Sequence, residues 1–263
     1  MSLRVNKIGS DPEVFVRDVR NTLIPAANLI PNGKGSPMCG PGGCAIHWDN
    51  VLAELNPAPA TNEQEFVQNT RECLDFLHSI IGQEHGVDYS ISRELQGDTL
   101  RHPSAWEMGC DPDFDAWGIE QYKKPKHSEI GPFRHAGGHL HFSLQQSGDK
   151  DLRLGFIRAL DLCLGIPSVL EEEPNCRRPA YGRAGRYRPT EYGIEYRTPS
   201  NFWLRSQGFQ ASAIWAMVDR ARAMVEKHEG AILEAGTDIR NAINNADKKL
   251  ARRLVSDFNL QTF

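Results

Sequence analysis

Ala136-Gly137-Gly138-His139-Leu140-His141-Phe142-Ser143-Leu144 is the stretch on which the reading of the fold turns. His139, His141 and Ser143 alternate with Leu140, Phe142 and Leu144, so an extended chain sorts polar side chains to one face and apolar ones to the other. The two histidines are two residues apart on a strand, so their side chains leave the backbone about 7 Å from each other and point the same way. Gly137 and Gly138 leave room just before them, as a close backbone approach or a ligand needs. Alone, the stretch reads equally as a half-exposed strand with surface histidines.

Outward from this strand, the totals set the class. The chain has 263 residues, 40% hydrophobic and 24% charged, with a net charge of −4. That is the composition of a globular protein with an ordinary core and gives no general attraction to nucleic acid or to a membrane surface. No apolar run is long enough for a membrane span, and the start, Met1-Ser2-Leu3-Arg4-Val5-Asn6-Lys7, has no signal-peptide core. The expectation is a cytoplasmic protein. The six cysteines (39, 44, 73, 110, 163 and 176) form no CxxC pair, so reduced, mostly buried thiols are expected. Cys39, Cys44 and His47 lie close together, but their spacing matches no zinc pattern.

Upstream, Glu13-Val14-Phe15-Val16 and Thr22-Leu23-Ile24-Pro25 flank a polar turn and read as a hairpin. Asp11 and Glu13 sit at its head, two apart around Pro12, and are expected on one face of a strand start. Residues 31–43 are a glycine- and proline-rich loop. Gly33-Lys34-Gly35-Ser36 lacks the frame of a phosphate loop and is rejected as one. Val51-Leu52-Ala53-Glu54-Leu55 reads as a strand buried on both faces, which places Glu54 in apolar company. A buried carboxylate needs a cation, a metal or a proton. Thr61 to Gly82 reads as a helix opened by a Thr61/Gln64 capping box. A strand is expected over 87–91, and residues 97–135 read as irregular, with Asp111 and Asp113 in the densest segment.

Downstream, residues 151–166 read as a helix. Residues 177–205 then carry seven arginines (177, 178, 183, 186, 188, 197 and 205), no lysine, and only Glu191 and Glu195 as acids. The fixed fork of arginine suits phosphate and carboxylate, and interleaved glycines let the backbone come close. An RNA-binding patch is the rival reading of this segment. Tyr192 to Pro199 alternates again, with Ile194 and Tyr196 facing one way, Glu195 and Arg197 the other. Helices are expected over 211–228 and 238–257, the second capped by Asp238.

Four separated strands thus offer polar side chains on one face: Asp11 with Glu13, Glu54, His139 with His141, and Glu195 with Arg197. Carboxylates with one or two imidazoles suit Mg²⁺ or Mn²⁺. Acidic ligands beside an arginine cluster are what phosphoryl transfer from a nucleotide requires.

Ala136-Gly-Gly-His139-Leu-His141-Phe-Ser143, the arginine-rich segment and Glu195-Tyr-Arg197 resemble the glutamine synthetase and glutamate–cysteine ligase superfamily. More closely, the chain resembles the phage-encoded COOH–NH2 ligase type 2 (amidoligase) family. The matching segments are Gly109-Cys-Asp-Pro-Asp113, Gly137-Gly-His-Leu-His141, Arg177-Arg178 with Tyr181-Gly-Arg-Ala-Gly-Arg186, and Glu195-Tyr-Arg-Thr-Pro-Ser-Asn-Phe-Trp203. The resemblance spans about residues 8–205 of a single ligase-like domain, 1–263, whose helical end, 206–263, adds nothing to it.

The resemblance implies an α+β fold: a curved, mainly antiparallel sheet of the glutamine synthetase catalytic type, backed by helices, with ATP and Mg²⁺ (or Mn²⁺) on its concave face. It implies one ion on Glu13 and Glu54 and another on Asp11, His139 and Glu195. Asp11 is shorter than the glutamate common at that position. Arg197 would contact the transferred phosphoryl group, Arg183, Arg186 and Arg188 the nucleotide phosphates or a substrate carboxylate, and His141 substrate or phosphate. The partners implied are ATP, a carboxylate-bearing substrate and an amine-bearing one (amino acid, peptide or protein), joined through an acyl phosphate. The rival from another class is a metal-dependent hydrolase of peptides or phosphoesters that uses the same acids and histidines without ATP.

Overall fold

The computed structural model describes residues 3–106, 113–118, 131–145, 149–172, 177–205 and 209–263. In chain order the strands are β1 (Val5–Ser10), β2 (Glu13–Asp18), β3 (Leu23–Ile24), β4 (Met38–Cys39), β5 (Ala45–Asp49), β6 (Leu52–Asn56), β7 (His85–Asp88), β8 (Ser92–Glu94), β9 (Phe114–Asp115), β10 (Phe133–His135), β11 (Leu140–Leu144), β12 (Arg186–Thr190) and β13 (Gly193–Tyr196). The helices are α1 (Glu63–Ile81), α2 (Gly97–Arg101), α3 (Lys150–Leu160), α4 (Ile166–Glu171), α5 (Arg177–Ala180), α6 (Ala211–Glu234), α7 (Gly236–Asn244) and α8 (Lys248–Asp257). The fold is α+β with antiparallel sheets.

One sheet runs β1-β11-β13-β12-β9, the other β3-β2-β6-β5-β4 with β7 added on β2, and β8 with β10 makes a separate ribbon. Where one sheet was expected, the described residues form two large sheets, joined at Asp11-Pro12, besides that ribbon. β1 ends at Ser10, and Pro12 has no N–H to continue a ladder. The seam is closed by backbone bonds. Glu13 N donates to Gly137 O at 2.9 Å, Leu55 N to Pro12 O at 3.0 Å, and Ile8 and Ala60 exchange a pair of bonds.

The alternation in the histidine strand sets the layering. Leu140, Phe142 and Leu144 of β11 are buried, as are Ile194 and Tyr196 of β13. That face meets the helices: the rings of Phe142 and Phe156 of α3 pack edge to face with centroids 5.1 Å apart. Each such side chain, fully buried, contributes roughly 1.5–3 kcal/mol. The opposite face carries the histidines, Glu195 and Arg197.

Several boundaries differ from expectation for local reasons. The cap of α1 is Asn62, which accepts from Glu65 N at 3.0 Å, while Glu65 reaches back to Thr61 N at 2.8 Å. The cap therefore sits one residue later than expected, and Glu65 bonds the residue before it and not the cap's own N–H. The helix expected over 151–166 widens into a π-helical turn at Asp161–Gly165 before α4. The last expected helix is two, α7 and α8. Ala246 has φ +50° at the break, and Asp247, not Asp238, caps α8 through Lys249 N and Leu250 N. The hairpin β2/β3 forms as expected, and the strand expected over 87–91 is β7, pairing with β2.

Candidate metal and nucleotide site

The registers of the two sheets assemble the site. Across β2, β6 and β5, Glu13 lies opposite Glu54, and Glu54 opposite His47. Across β1, β11, β13 and β12, Gly9 lies opposite His141, His141 opposite Glu195, and Glu195 opposite Arg188. Two rows of polar side chains therefore end at the seam, one on each sheet.

The seam separates Asp11 from Glu13. Expected as a pair on one face, they go to different groups, because the break at Asp11-Pro12 starts a new sheet between them. Glu13 joins Asp49 and Glu54, with one carboxylate oxygen from each lying within 4.8 Å of the others. Asp11 joins His141 and Glu195 under the same distance. His139 stands beside the second group: its Nδ1 is 3.2 Å from Asp11 Oδ1 and 3.5 Å from Glu195 Oε1. His141 Nε2 is 3.2 Å from Asp11 Oδ2. The other ring nitrogens are held by tyrosines, His139 Nε2 at 2.7 Å from Tyr181 Oη and His141 Nδ1 at 2.6 Å from Tyr192 Oη. Both histidines thus direct one nitrogen at Asp11.

The electrostatics differ between the groups. Burial raises the Glu13 carboxyl well above the usual carboxylate range, and the charges of Glu54 and Asp49 raise it further. Asp11 is also pushed up by burial, but His141 and His139 outweigh this and hold it well below its usual range. Burial alone would lower His141, and Asp11 and then Glu195 more than offset this, raising it. Among the described residues, no group donates a hydrogen bond to the buried Asp11 Oδ1.

A cationic rim borders the Asp11 group. Arg197 pairs with Glu195 and lies 3.6 Å from Asp113 through Nε. Arg186 Nη1 is 3.3 Å from Asp113 Oδ1, and Arg188 Nη1 is 3.4 Å from Glu195 Oε2. Asp113 therefore spaces two arginines whose role was expected to be phosphate binding. Burial raises its carboxyl, against the pull of Arg186, Arg197 and Arg188. Its expected companion Asp111 lies outside the described residues. Arg183 is exposed, and its carbonyl accepts from Thr198 Oγ1 at 2.9 Å.

Arg177 and Arg178, part of the same arginine-rich run, are scaffold. Both are fully buried. Arg178 Nε donates to Glu172 Oε2 at 2.8 Å and Nη2 to Ser168 Oγ at 2.9 Å, and Nη1 donates to the carbonyls of Gly182 and Thr198. These bonds hold the Tyr181–Arg186 loop against β13. Gly182 has φ +72°, and a Cβ there would run into the guanidinium of Arg177, so both backbone shape and space require glycine.

The candidate zinc spacing does not assemble. Cys39 is exposed and the Cys44 thiol is buried beside Cys73, whereas His47 turns to Glu54, its Nε2 at 3.4 Å from Oε1. Among the described residues Cys39, Cys44, Cys73 and Cys163 are free thiols, and Cys110 and Cys176 lie outside them.

With this geometry in view, the sequence profile of the family described as "Phage phiEco32-like COOH.NH2 ligase-type 2" matches residues 130–260. The chain belongs to this family. The matched stretch contains the histidine strand, the arginine loop and Glu195-Tyr196-Arg197, and it runs on through most of the C-terminal helical end, which was expected to add nothing to the resemblance. Asp11, Glu13, Asp49 and Glu54 lie ahead of it. A solved structure described as a "novel glutamine synthase homolog" aligns over 95% of the ligase chain and 67% of its own, with 12% identity and a TM-score of 0.39. No curated protein matches. No helix among the described residues is long and apolar enough to cross a membrane.

Three residues at the candidate site carry no local signal that marks them in the sequence. Asp49 sits at the end of β5, a strand whose Ala45-Ile46-His47-Trp48-Asp49 has the period-2 signal, masked by the glycine-rich run before it. His47 drew attention only for its distance from two cysteines. Lys34 was set aside with its loop.

Proposed function

We propose that the protein is an ATP- and Mg²⁺-dependent carboxylate–amine ligase that works through an acyl phosphate. The single observation that supports this most is the pairing of two acid groups at one seam, with an arginine rim on one side only. Three carboxyl groups in the Glu13/Asp49/Glu54 cluster, and the buried Asp11 Oδ1 that accepts no hydrogen bond among the described residues, fit divalent cations. Glu13, Asp49 and Glu54 would hold one ion. Asp11 and Glu195, with the histidine nitrogens facing them, would hold the other. Divalent ions so held supply charge neutralisation and Lewis acidity at phosphoryl oxygens.

The chain's own residues then have distinct tasks. Arg197, Arg186 and Arg188 would bind nucleotide phosphate oxygens and stabilise the charge that develops on the transferred group. Asp113 keeps two of these forks apart and pointed at the site. Tyr181 fixes His139 and is also reached by Arg197 Nη2 at 3.1 Å, so one hydroxyl couples the two groups. Arg183, exposed at the rim, would meet the substrate carboxylate or the outer phosphates. In the reaction a substrate carboxylate attacks the γ-phosphorus and ADP leaves. An amine then attacks the acyl carbon, phosphate departs, and the amine loses a proton. The chain needs no serine or cysteine nucleophile for this.

The test is ADP release by the purified protein with Mg²⁺ and a mixed set of amino acids and peptides. Amine-dependent ADP release together with an amide product is the expected result. Metal-dependent cleavage of peptides or phosphoesters that ignores ATP would replace this reading with a hydrolase.

A further inference from the structure

The glycine-rich loop lies against β5, the strand that brings Asp49 to the first acid group. Trp48 N donates to Asn32 O at 3.1 Å, Gly33 bridges to Trp48, and Ser36 N donates to Gly33 O at 3.0 Å. Gly33 is flush with the indole, since a Cβ there would stand 2.9 Å from Trp48 Cζ2. The backbone under Lys34 is therefore anchored. Its side chain is not: it is 54% exposed, and Nζ meets Asp49 Oδ2 at 3.7 Å, beyond hydrogen-bond range. Half-exposed single-point pairs of this kind are weak and easily exchanged.

Asp49 is one of the three carboxylates grouped at the seam. A second feature points into the same group: His47 Nε2 is buried, has no hydrogen-bond partner among the described residues, and lies 3.4 Å from Glu54 Oε1. A divalent ion held by the three acids would take the Asp49 carboxylate and repel the ammonium beside it. A lysine is a point charge on a flexible four-carbon stem, able to move to a phosphate oxygen a few ångströms away. Arg188 stands in the same relation to Glu195 on the other row.

We propose, resting on the metal–nucleotide reading above, that Lys34 is an exchanging counter-charge: it neutralises Asp49 when the acid group is empty and binds a nucleotide phosphate oxygen once the group is loaded.

Two titrations on the full chain test this. The first adds Mn²⁺ alone to wild type, Lys34→Gln and Lys34→Arg. The second adds the non-hydrolysable ATP analogue AMP-PNP at saturating Mn²⁺. Lys34→Gln is expected to bind Mn²⁺ three- to tenfold more tightly, because a competing cation is gone, and AMP-PNP about tenfold more weakly. Lys34→Arg, which keeps the charge, should stay within twofold of wild type in AMP-PNP affinity. Opposite shifts in the two affinities are what a merely structural lysine would not produce. Unchanged or weaker Mn²⁺ binding in Lys34→Gln overturns the proposal. So does tighter Mn²⁺ binding with AMP-PNP affinity unchanged. A wild type that binds no Mn²⁺ overturns the metal reading itself, a result distinct from either.

Discussion

Glu13 and Glu54 are direct cross-strand partners, two carboxylates set face to face on neighbouring strands of one sheet. Like charges directly opposite destabilise a sheet by up to ~1 kcal/mol. Glu54→Gln removes that repulsion while keeping the shape. Thermal unfolding without metal should show stability unchanged or raised by up to ~1 kcal/mol. Mg²⁺-dependent nucleotide turnover should fall at least a hundredfold. Full turnover in this variant would remove Glu54 from the site.

Asp161 is fully buried in the π-helical turn, behind the strand that carries Glu195 and Arg197. Tyr196 Oη donates to its Oδ1 at 2.8 Å and Trp117 Nε1 to Oδ2 at 2.6 Å, and Thr198 Oγ1 lies 3.2 Å from Oδ1. Burial still dominates and pushes its carboxyl up to about 7. Between the ordinary carboxylate value and 7 the folded state holds a proton that the unfolded state has lost. Stability is therefore greatest below pH 4 as far as this group is concerned, and falls as pH rises to 7 by an amount on the order of 4 kcal/mol. Asp161→Asn should flatten that part of the stability–pH profile, measured by urea unfolding from pH 4 to 8. An unchanged slope would assign the pH dependence elsewhere.

Removing the guanidinium of Arg178 strips donors from Glu172, Ser168 and the carbonyls of Gly182 and Thr198. Arg178→Ala should cost about 3 kcal/mol in urea unfolding. The loop Tyr181–Arg186 should become protease-sensitive before the rest. A loss under 1 kcal/mol would show that the pair is not what holds the loop.

Gly138 touches the backbone of another segment. Its N donates to Pro199 O at 3.1 Å, and a Cβ would overlap the carbonyl of Ser200. Gly138→Ala should lower stability by roughly 3 kcal/mol, because neither backbone can yield without breaking the seam. Gly35→Ala, with nothing among the described residues within 4 Å of its Cβ, should stay within about 0.5 kcal/mol of wild type in the same melting experiment.

Much of the site was legible from local pattern. Period-2 alternation around His139 and around Glu195 specifies which side chains share a face, because pleating alone sets that. The burial of Glu54 followed from its apolar neighbours. Gly138 was recognised as a place of close approach, and the structure identifies what approaches: the backbone around Ser200, where a ligand had been equally open. The arginine-rich run was harder to divide. Composition marked all seven arginines alike, yet Arg177 and Arg178 are buried scaffold while Arg186, Arg188 and Arg197 edge the acid groups. That division depends on Glu172 and on the Thr198 carbonyl, 20 residues from Arg178 in the chain.

By itself, the sequence determined the strand faces around His139 and Glu195, the long helix α1 and the family, since these rest on spacing within a few residues or on motif strings. Only the tertiary structure decided that Asp11 and Glu13 part company at a seam between two sheets, that Asp49 completes one acid group, and that Lys34 sits over it. Strand register and sheet order bring those residues together. Both are fixed by pairing between distant segments, which no local periodicity records.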